Sequence, residues 1–374
     1  MKKYIVGGFV RDKLLGLKPK DKDYVLVGAK QRDIDYLTSQ GYKQVGADFP
    51  VYLSPAGDEY ALARVERKTG NGYKGFTVDT EGVTLEQDLF RRDLTINAIA
   101  YDPVFQKHID PYGGKSDLQN KVLRHVSPHF AEDPLRILRL ARFAARYSDF
   151  TIHSSTEELV LNMVKEGMID HLTPERVYVE FEKALSENNP SIFFKNLRKW
   201  GALERLLPGL EAFNKADGEM LDKITQTSTE AYTNDFQWSF LLSMSRGVVS
   251  KDYAIGQLKL PAQAVKFFKF VTANFEEIKL FRKKTPEQMV EMLTKLNIHN
   301  NGGEEFLYKV LEYFNIQRDT DGELEDLIVK VYDKFEGTVI GDIDQMLKDG
   351  TLEPKEIRAY VSNLRTTEVA KMFS

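Results

Sequence analysis

Apolar and polar positions follow two different periods along this chain. Over the first third, short runs rich in β-branched and aromatic residues predict strands: "KYIVG" from residue 3, "DYVLVG" from 23, "VYLSP" from 51 and "EYALARV" from 59. The last two are separated by "PAGD", which reads as a turn, and "FVRDKLLGL" from residue 9 has helical spacing. Glycines and charges gather in "ERKTGNGYKG", residues 66–75, a pattern that predicts a mobile loop. Past residue 128 the period lengthens to that of a helix. "SSTEELVLNMVKEG" offers Ser155 as N-cap, Glu158 at the capping-box position and Gly167 as the stop. "LTPERVYVEFEKAL" places Thr173 as N-cap and Pro174 at the first helical position, with Val177, Phe181, Ala184 and Leu185 on one face. From about residue 190 every readable segment is helical, without a detectable repeat. The expected fold class is therefore α+β: a head with a small mixed β-sheet and helices over 1–125, an all-α neck over 126–215, and a helical body and tail over 216–374.

The bulk numbers narrow the classes. At 374 residues, 42% apolar and 29% charged, the chain has the composition of a globular protein with several cores. No run approaches the roughly 18–20 apolar residues that span a bilayer, so no membrane association is expected. The start, "MKKYIVGGFV", has too short an apolar stretch for a signal peptide. The absence of cysteine rules out disulfides and thiolate metal sites and fits a cytoplasmic location. A net charge of −4 argues against indiscriminate coating of nucleic acid, so any such contact must come from local basic patches.

Candidate chemistry begins with "KDKDYVLVG", residues 20–28. Asp21 and Asp23, two apart at a strand, project to one face, and their repulsion is relieved by a hard divalent cation such as Mg²⁺. Alone, the pair reads equally as a polar lead-in to a strand. Upstream, "YIVGGFVRD" sets Gly7 and Gly8 at a strand-to-helix turn whose backbone N–H groups suit phosphates, with Arg11 one turn on. Downstream, "LFRRDLTINAIA" puts Arg92, Thr95 and Asn97 toward one side; the competing reading is a helix with a solvated basic end. In "EDPLRILRLARFAAR", Asp133, Arg136 and Arg139 recur at steps of three, which predicts one broad helical face. Such spacing usually marks a salt-bridged surface. Here Ile137, Leu138, Leu140 and Phe143 surround the arginines, so the helix is expected to be buried and the arginines to need partners, of which a ligand is one.

In order along the chain, "GGFVRD", "DKD", "FRRDLTINA", "DPYGGKSDL" and "EDPLRILRLARF" resemble the motifs of the class II tRNA nucleotidyltransferases. With "ALARVERKTGNGYKGF" and "LRHVSPHF", the pattern is similar to the bacterial CCA-adding enzymes of that class, over roughly residues 1–210. The resemblance implies a nucleotidyltransferase head and a role for each matching residue. Asp21 and Asp23 would be the catalytic, metal-binding carboxylates. Gly8 and Arg11 would contact the triphosphate, and Arg92 would bind nucleotide and recognise ribose. Asp133, Arg136 and Arg139 would form an amino-acid template for the incoming base, and "DPYGGKSDL" a hinge between head and neck. Glu59 in "DEYALAR" is the candidate third carboxylate.

Base chemistry supports that template. Cytosine and adenine each present an amino donor beside a ring-nitrogen acceptor, which a carboxylate and an arginine complement. Uracil and guanine present the reverse. The implied reaction is untemplated addition and repair of the 3′-terminal CCA of tRNA from CTP and ATP, with tRNA and the two nucleotides as partners. Siblings that add only CC, only A or a poly(A) tail remain alternatives, as does a non-catalytic RNA-binding protein on the same fold. Some relatives carry a helical phosphohydrolase domain with paired His-Asp ligands. Here only His299 lies beyond residue 171, so that activity is expected to be absent. "DTDGELED", residues 319–326, is expected to be an exposed turn. The lysines and arginines of "AVKFFKFVTANFEEIKLFRKK" form either a solvated helix face or a tRNA contact.

Overall fold

The strands of the first third build one sheet whose order brings distant segments together. A computed structural model describes residues 1–19, 21–45, 51–68, 76–210, 212–244, 255–256, 258–317 and 322–374. Most of the expected loop at 66–75 lies outside them. The elements run β1 (Lys2–Val6), α1 (Gly8–Leu14), β2 (Asp23–Val27), α2 (Gln31–Ser39), β3 (Lys43–Val45), β4 (Val51–Leu53), β5 (Glu59–Leu62), β6 (Val65–Lys68), β7 (Phe76–Asp79), α3 (Leu85–Phe90), β8 (Ala100–Asp102), β9 (Lys107–Ile109) and α4 (Gly114–Gln119). The seven-stranded sheet has the order β3-β4-β5-β2-β1-β8-β9, and β6 pairs with β7 separately. β2 runs parallel to β5 and antiparallel to β1, so Asp23 stands beside Glu59 on one side and Val6 on the other. Alternation then divides the faces. Tyr24 and Tyr60 stack 4.3 Å apart on one face. Val25 on the other packs with Val6, Leu89, Ala98 and Ala100 in a closed core.

The segment "LFRRDLTINAIA" is not one helix. α3 starts on a capping box between Thr84 and Gln87 and stops at Phe90; a single 3₁₀ turn, Thr95–Asn97, then leads into β8. α4 rests directly on that turn. A Cβ at Gly114 would lie 2.2 Å from the Thr95 carbonyl oxygen, so only glycine permits the approach.

The following helices are α5 (Leu135–Arg146), α6 (Ser154–Lys165), α7 (Pro174–Leu185), α8 (Pro190–Lys199) and α9 (Leu203–Leu206), with a two-residue parallel pair of β10 (Val122–Leu123) and β11 (Thr151–Ile152) that helical periodicity does not show. Asp133 precedes α5 in an extended conformation, so it does not share the helical face expected for it with Arg136 and Arg139. α6 begins two residues earlier than its sequence signals suggest, capped by His153 rather than Ser155. α7 has the expected Thr173 N-cap and Pro174 start, and its Val177, Phe181, Ala184 and Leu185 are buried. Phe181 meets Phe193 and Phe194 of α8 edge-on at 4.9 and 5.8 Å.

The chain divides into two compact units: one is Met1–Gly218 together with Arg246–Lys259, the other Glu219–Ser245 together with Leu260–Ser374. α10 (Lys215–Thr227) leads into the second unit, which is all helical among the described residues: α11 (Thr233–Met244), α12 (Ala262–Lys279), α13 (Pro286–Leu296), α14 (Ile298–Asn301), α15 (Gly303–Ile316), α16 (Gly322–Glu336), α17 (Ile343–Lys348) and α18 (Ile357–Ala370). Its core centres on Phe236, Phe267 and Tyr313, with ring centroids 5.3–5.5 Å apart. Gly322–Asp326, read from sequence as part of an exposed turn, forms the opening of α16; strong helix formers from Glu323 onward outweigh the turn signal. Among the described residues, no helix is long and apolar enough to cross a membrane.

Candidate active site

Asp23 opens β2, Asp21 lies two residues before it, and Glu59 opens the neighbouring β5. The three acids crowd one another at this corner of the sheet. Burial, then the charge of Glu59, pushes the Asp23 carboxyl above its ordinary value; Asp21 and Asp58 add to the rise, while Arg92 opposes it. Among the described residues, no three acidic or histidine side chains already enclose a metal-sized space. The arrangement is thus an open two-carboxylate site. A divalent cation there would relieve the crowding and keep positions free for phosphate oxygens or water, so the residues fit such an ion. Glu59 acts on Asp23 through its charge from an exposed position.

Beside the acids, the turn into α1 is shaped by Gly7, which has φ +69°. A side chain there would be strained and would meet the Arg92 guanidinium at 3.2 Å. Arg92 donates from Nη2 to Asp88 Oδ2 at 3.1 Å, and its buried Nε has no partner among the described residues. Asp88 is fully buried. Burial raises its pKa, but Arg92 and Arg91 overcome that and hold the carboxyl below the usual range. Arg11 is buried too: Nη1 donates to Asn97 Oδ1 at 2.6 Å and Nε to Asp12 Oδ1 at 2.8 Å, with the rings of Phe143 and Tyr147 5.3 and 5.6 Å away. Asp12 in turn accepts from Tyr147 and Arg146 near the end of α5. The glycine turn and α5 are therefore joined through buried charge.

The remaining expected residues lie across the same space. Arg139 donates from Nε to Asp93 Oδ2 at 2.8 Å, and Asn97 donates to Asp93 Oδ1 at 3.0 Å. Burial works to raise the Asp93 pKa, yet Arg139, Asn97 and Arg136 outweigh it and depress the carboxyl strongly. Arg136 gives Nη1 to the His129 carbonyl at 2.7 Å and Nη2 to the Arg91 carbonyl at 2.6 Å. Asp133 accepts from Arg176 Nη2 at 2.8 Å and from the Leu135 N–H at 3.1 Å. Among the described residues, Asp133 thus takes Arg176 rather than Arg136 as its side-chain partner.

All eight expected residues (Gly8, Arg11, Asp21, Asp23, Arg92, Asp133, Arg136 and Arg139) line one cleft of about 710 Å³. Ten arginines and lysines and five acids face it, against a net charge of −4 for the chain. Such a cleft attracts a polyanion while its acidic corner favours a cation. Sequence reasoning passed over Asn97 as a bridge between Arg11 and Asp93. It missed Arg176 altogether, since nothing in "TPERVYV" distinguishes that arginine from a solvated one.

Residues 3–124 match the family described as "Poly A polymerase head domain", and residues 149–214 the one described as "Probable RNA and SrmB- binding site of polymerase A". Together the two matched segments and the whole-length likeness in fold resemble the class II tRNA nucleotidyltransferases and poly(A) polymerases. It is 56% identical over 218 residues to the multifunctional CCA protein of Haemophilus influenzae (strain PittGG), an overlap of 57% of this chain and 51% of that protein. The chain spans about half the length of the curated relatives it matches. Two solved structures of a CCA-adding enzyme, one with ATP and one with CTP, are each 25% identical with a TM-score of 0.70, over 98% of this chain and 87% of theirs. The segment matched to the head domain contains the acidic pair, the glycine turn and Arg92, whereas Asp133, Arg136 and Arg139 lie in the interval between the two matched segments.

Proposed function

We propose that this protein adds and repairs the 3′-terminal CCA of tRNA in the cytoplasm, using CTP and ATP and releasing pyrophosphate. The observation that carries the reading is the single cleft in which an acidic pair, a glycine turn and the Asp133/Arg136/Arg139 group face one another. The multifunctional CCA protein and the nucleotide-bound CCA-adding enzymes support it by likeness. In this reading residues 1–125 are the catalytic head, 126–215 a neck presenting the base template, and 216–374 a body and tail that bind tRNA.

Asp21 and Asp23 would hold the cation, Mg²⁺ by the preference of an all-oxygen site. When bound, the ion neutralises the triphosphate and activates the attacking hydroxyl. The tRNA 3′-oxygen bonds to the α-phosphorus and loses its proton to water, and the bond from that phosphorus to pyrophosphate breaks. Backbone N–H groups around Gly8, with Arg11 and Arg92, bind the negative charge. Asp133 accepts from the base amino group and Arg136 donates to the ring nitrogen; Arg139, anchored on Asp93, keeps that wall of the cleft in place.

The test is incubation with tRNA lacking its 3′ end, supplying each nucleotide singly and together. CTP alone should add two residues, ATP alone should add none to that substrate, and both together should complete CCA. A chelator should stop all addition. A long A tail, or CC without the final A, would replace this reading with a sibling specificity. No incorporation with Mg²⁺ present would overturn it in favour of a binding protein.

A further inference from the structure

Asp133 is extended, with φ −120° and ψ 105°, outside the helix that carries Arg136 and Arg139. Helical packing therefore does not aim its side chain, and the direction of its carboxylate depends on the hydrogen bonds it makes. Among the described residues there are two: Oδ1 accepts the Leu135 N–H at 3.1 Å, and Oδ2 accepts Arg176 Nη2 at 2.8 Å. Together they fix the plane of the carboxylate.

Arg176 is well placed to do this. Thr173 and Pro174 start α7, so Arg176 sits on its first turn, and the buried Val177 and Phe181 anchor that turn to the core. The guanidinium and the carboxylate are both only partly exposed, so water competes less for the pair than at an open surface.

From this geometry we infer that Arg176 is a positioning residue for base selection, acting through Asp133. The inference rests on the CCA-addition reading. The ion pair has two consequences. It holds the carboxylate so that an unused lone pair of Oδ2 can accept an amino hydrogen from cytosine or adenine. It also commits an arginine donor that would otherwise be available to the carbonyl oxygen of uracil or guanine. Acceptor presentation and donor removal favour the same two bases, and neither requires Arg176 to touch the nucleotide.

The experiment compares wild-type protein with Arg176→Met and Arg176→Lys on tRNA lacking its 3′ end, measuring incorporation of each of the four nucleotides and the melting temperature. In Arg176→Met the preference for CTP and ATP over UTP and GTP should fall roughly tenfold, the scale of one lost base-edge hydrogen bond. KM for CTP should rise more than kcat falls, because the lost orientation acts on nucleotide binding. Arg176→Lys, which keeps a charged donor, should recover most of the preference. In the double variant with Asp133→Ala, adding Arg176→Met should change the preference no further. A wild-type preference in Arg176→Met, or additive losses in the double variant, overturns the inference. If Arg176→Met does not fold, Arg176→Gln is read for the same ratio and decides it by the same criterion. Wild-type protein without selective C and A addition would instead refute the functional reading, so the two failures are distinguishable.

Discussion

At the scale of single residues, Asp23 shows how a site can oppose the stability of its own fold. Its folded-state pKa is raised above the reference 3.8, first by burial and then by Glu59. A carboxyl raised in this way costs nothing below its unfolded value; the penalty grows as pH climbs toward the folded pKa and is complete above it. At neutral pH without metal, Asp23→Asn should therefore raise the melting temperature, and near pH 3 the gain should vanish. Mg²⁺ should stabilise the wild type and do little for the variant. On the CCA-addition reading, Asp21→Ala and Asp23→Ala should each abolish CMP and AMP incorporation while leaving tRNA binding nearly unchanged. A melting temperature lowered by Asp23→Asn, or normal AMP addition by either alanine variant, would refute the cation assignment.

At the scale of elements, the geometry of the cleft depends on buried charges that join α3 and the following turn to α5. Asp93 ties to Arg139, and Asp88 holds Arg91 and Arg92 just after α3. Both carboxyls are held below their usual range, so both favour folding above the unfolded value near 3.8, and that contribution disappears as pH falls through their folded values. Denaturant melts should show little change from pH 7 to 5 on this account, then a steep loss below about pH 4. Asp93→Asn should cost about 1–3 kcal/mol at pH 7, since it removes the charged partner of Arg139, which is a third exposed and, among the described residues, keeps only Glu180, at 3.9 Å. The same change should flatten the acid limb of the stability curve. An acid limb unaltered in Asp93→Asn would show that the Asp93–Arg139 tie contributes little to the fold.

At the scale of the whole molecule, charge is distributed against its own average. The chain carries −4, yet its cleft presents twice as many cations as acids. Low-dielectric walls strengthen that local field, so a polyanion should bind here despite the net charge. If the protein binds tRNA as proposed, raising salt from about 50 to 200 mM should weaken that binding by tenfold or more, through release of counterions from several phosphates. CTP, with fewer phosphates to neutralise, should lose much less. Equal losses for both would mean that tRNA gains nothing from charge beyond what the nucleotide site supplies.

Several features of this protein are local, and the amino-acid sequence determines them by itself. The β-strands at the start, the switch to helical period past residue 128 and the Thr173–Pro174 helix start are all set by near neighbours. So is the pairing of Asp21 with Asp23, because two residues of separation suffice to bring them close. The motif resemblance likewise names residues that turn out to share one cleft. What each of those residues touches was decided only by the tertiary structure. Asp133 stands three residues from Arg136, but it pairs with Arg176, which lies 43 residues away. Arg136 spends its donors on the backbones of Arg91 and His129, and Arg11 reaches Asn97 across 86 residues. No periodicity encodes these partners, because a charged side chain in a low-dielectric interior pairs with whichever group the packing of other elements brings within about 3 Å. The competing reading of "LFRRDLTINAIA" as a single helix fails for the same reason. Docking of α4 on the Thr95 carbonyl and the entry into β8 require a short turn where local propensity allowed a longer helix.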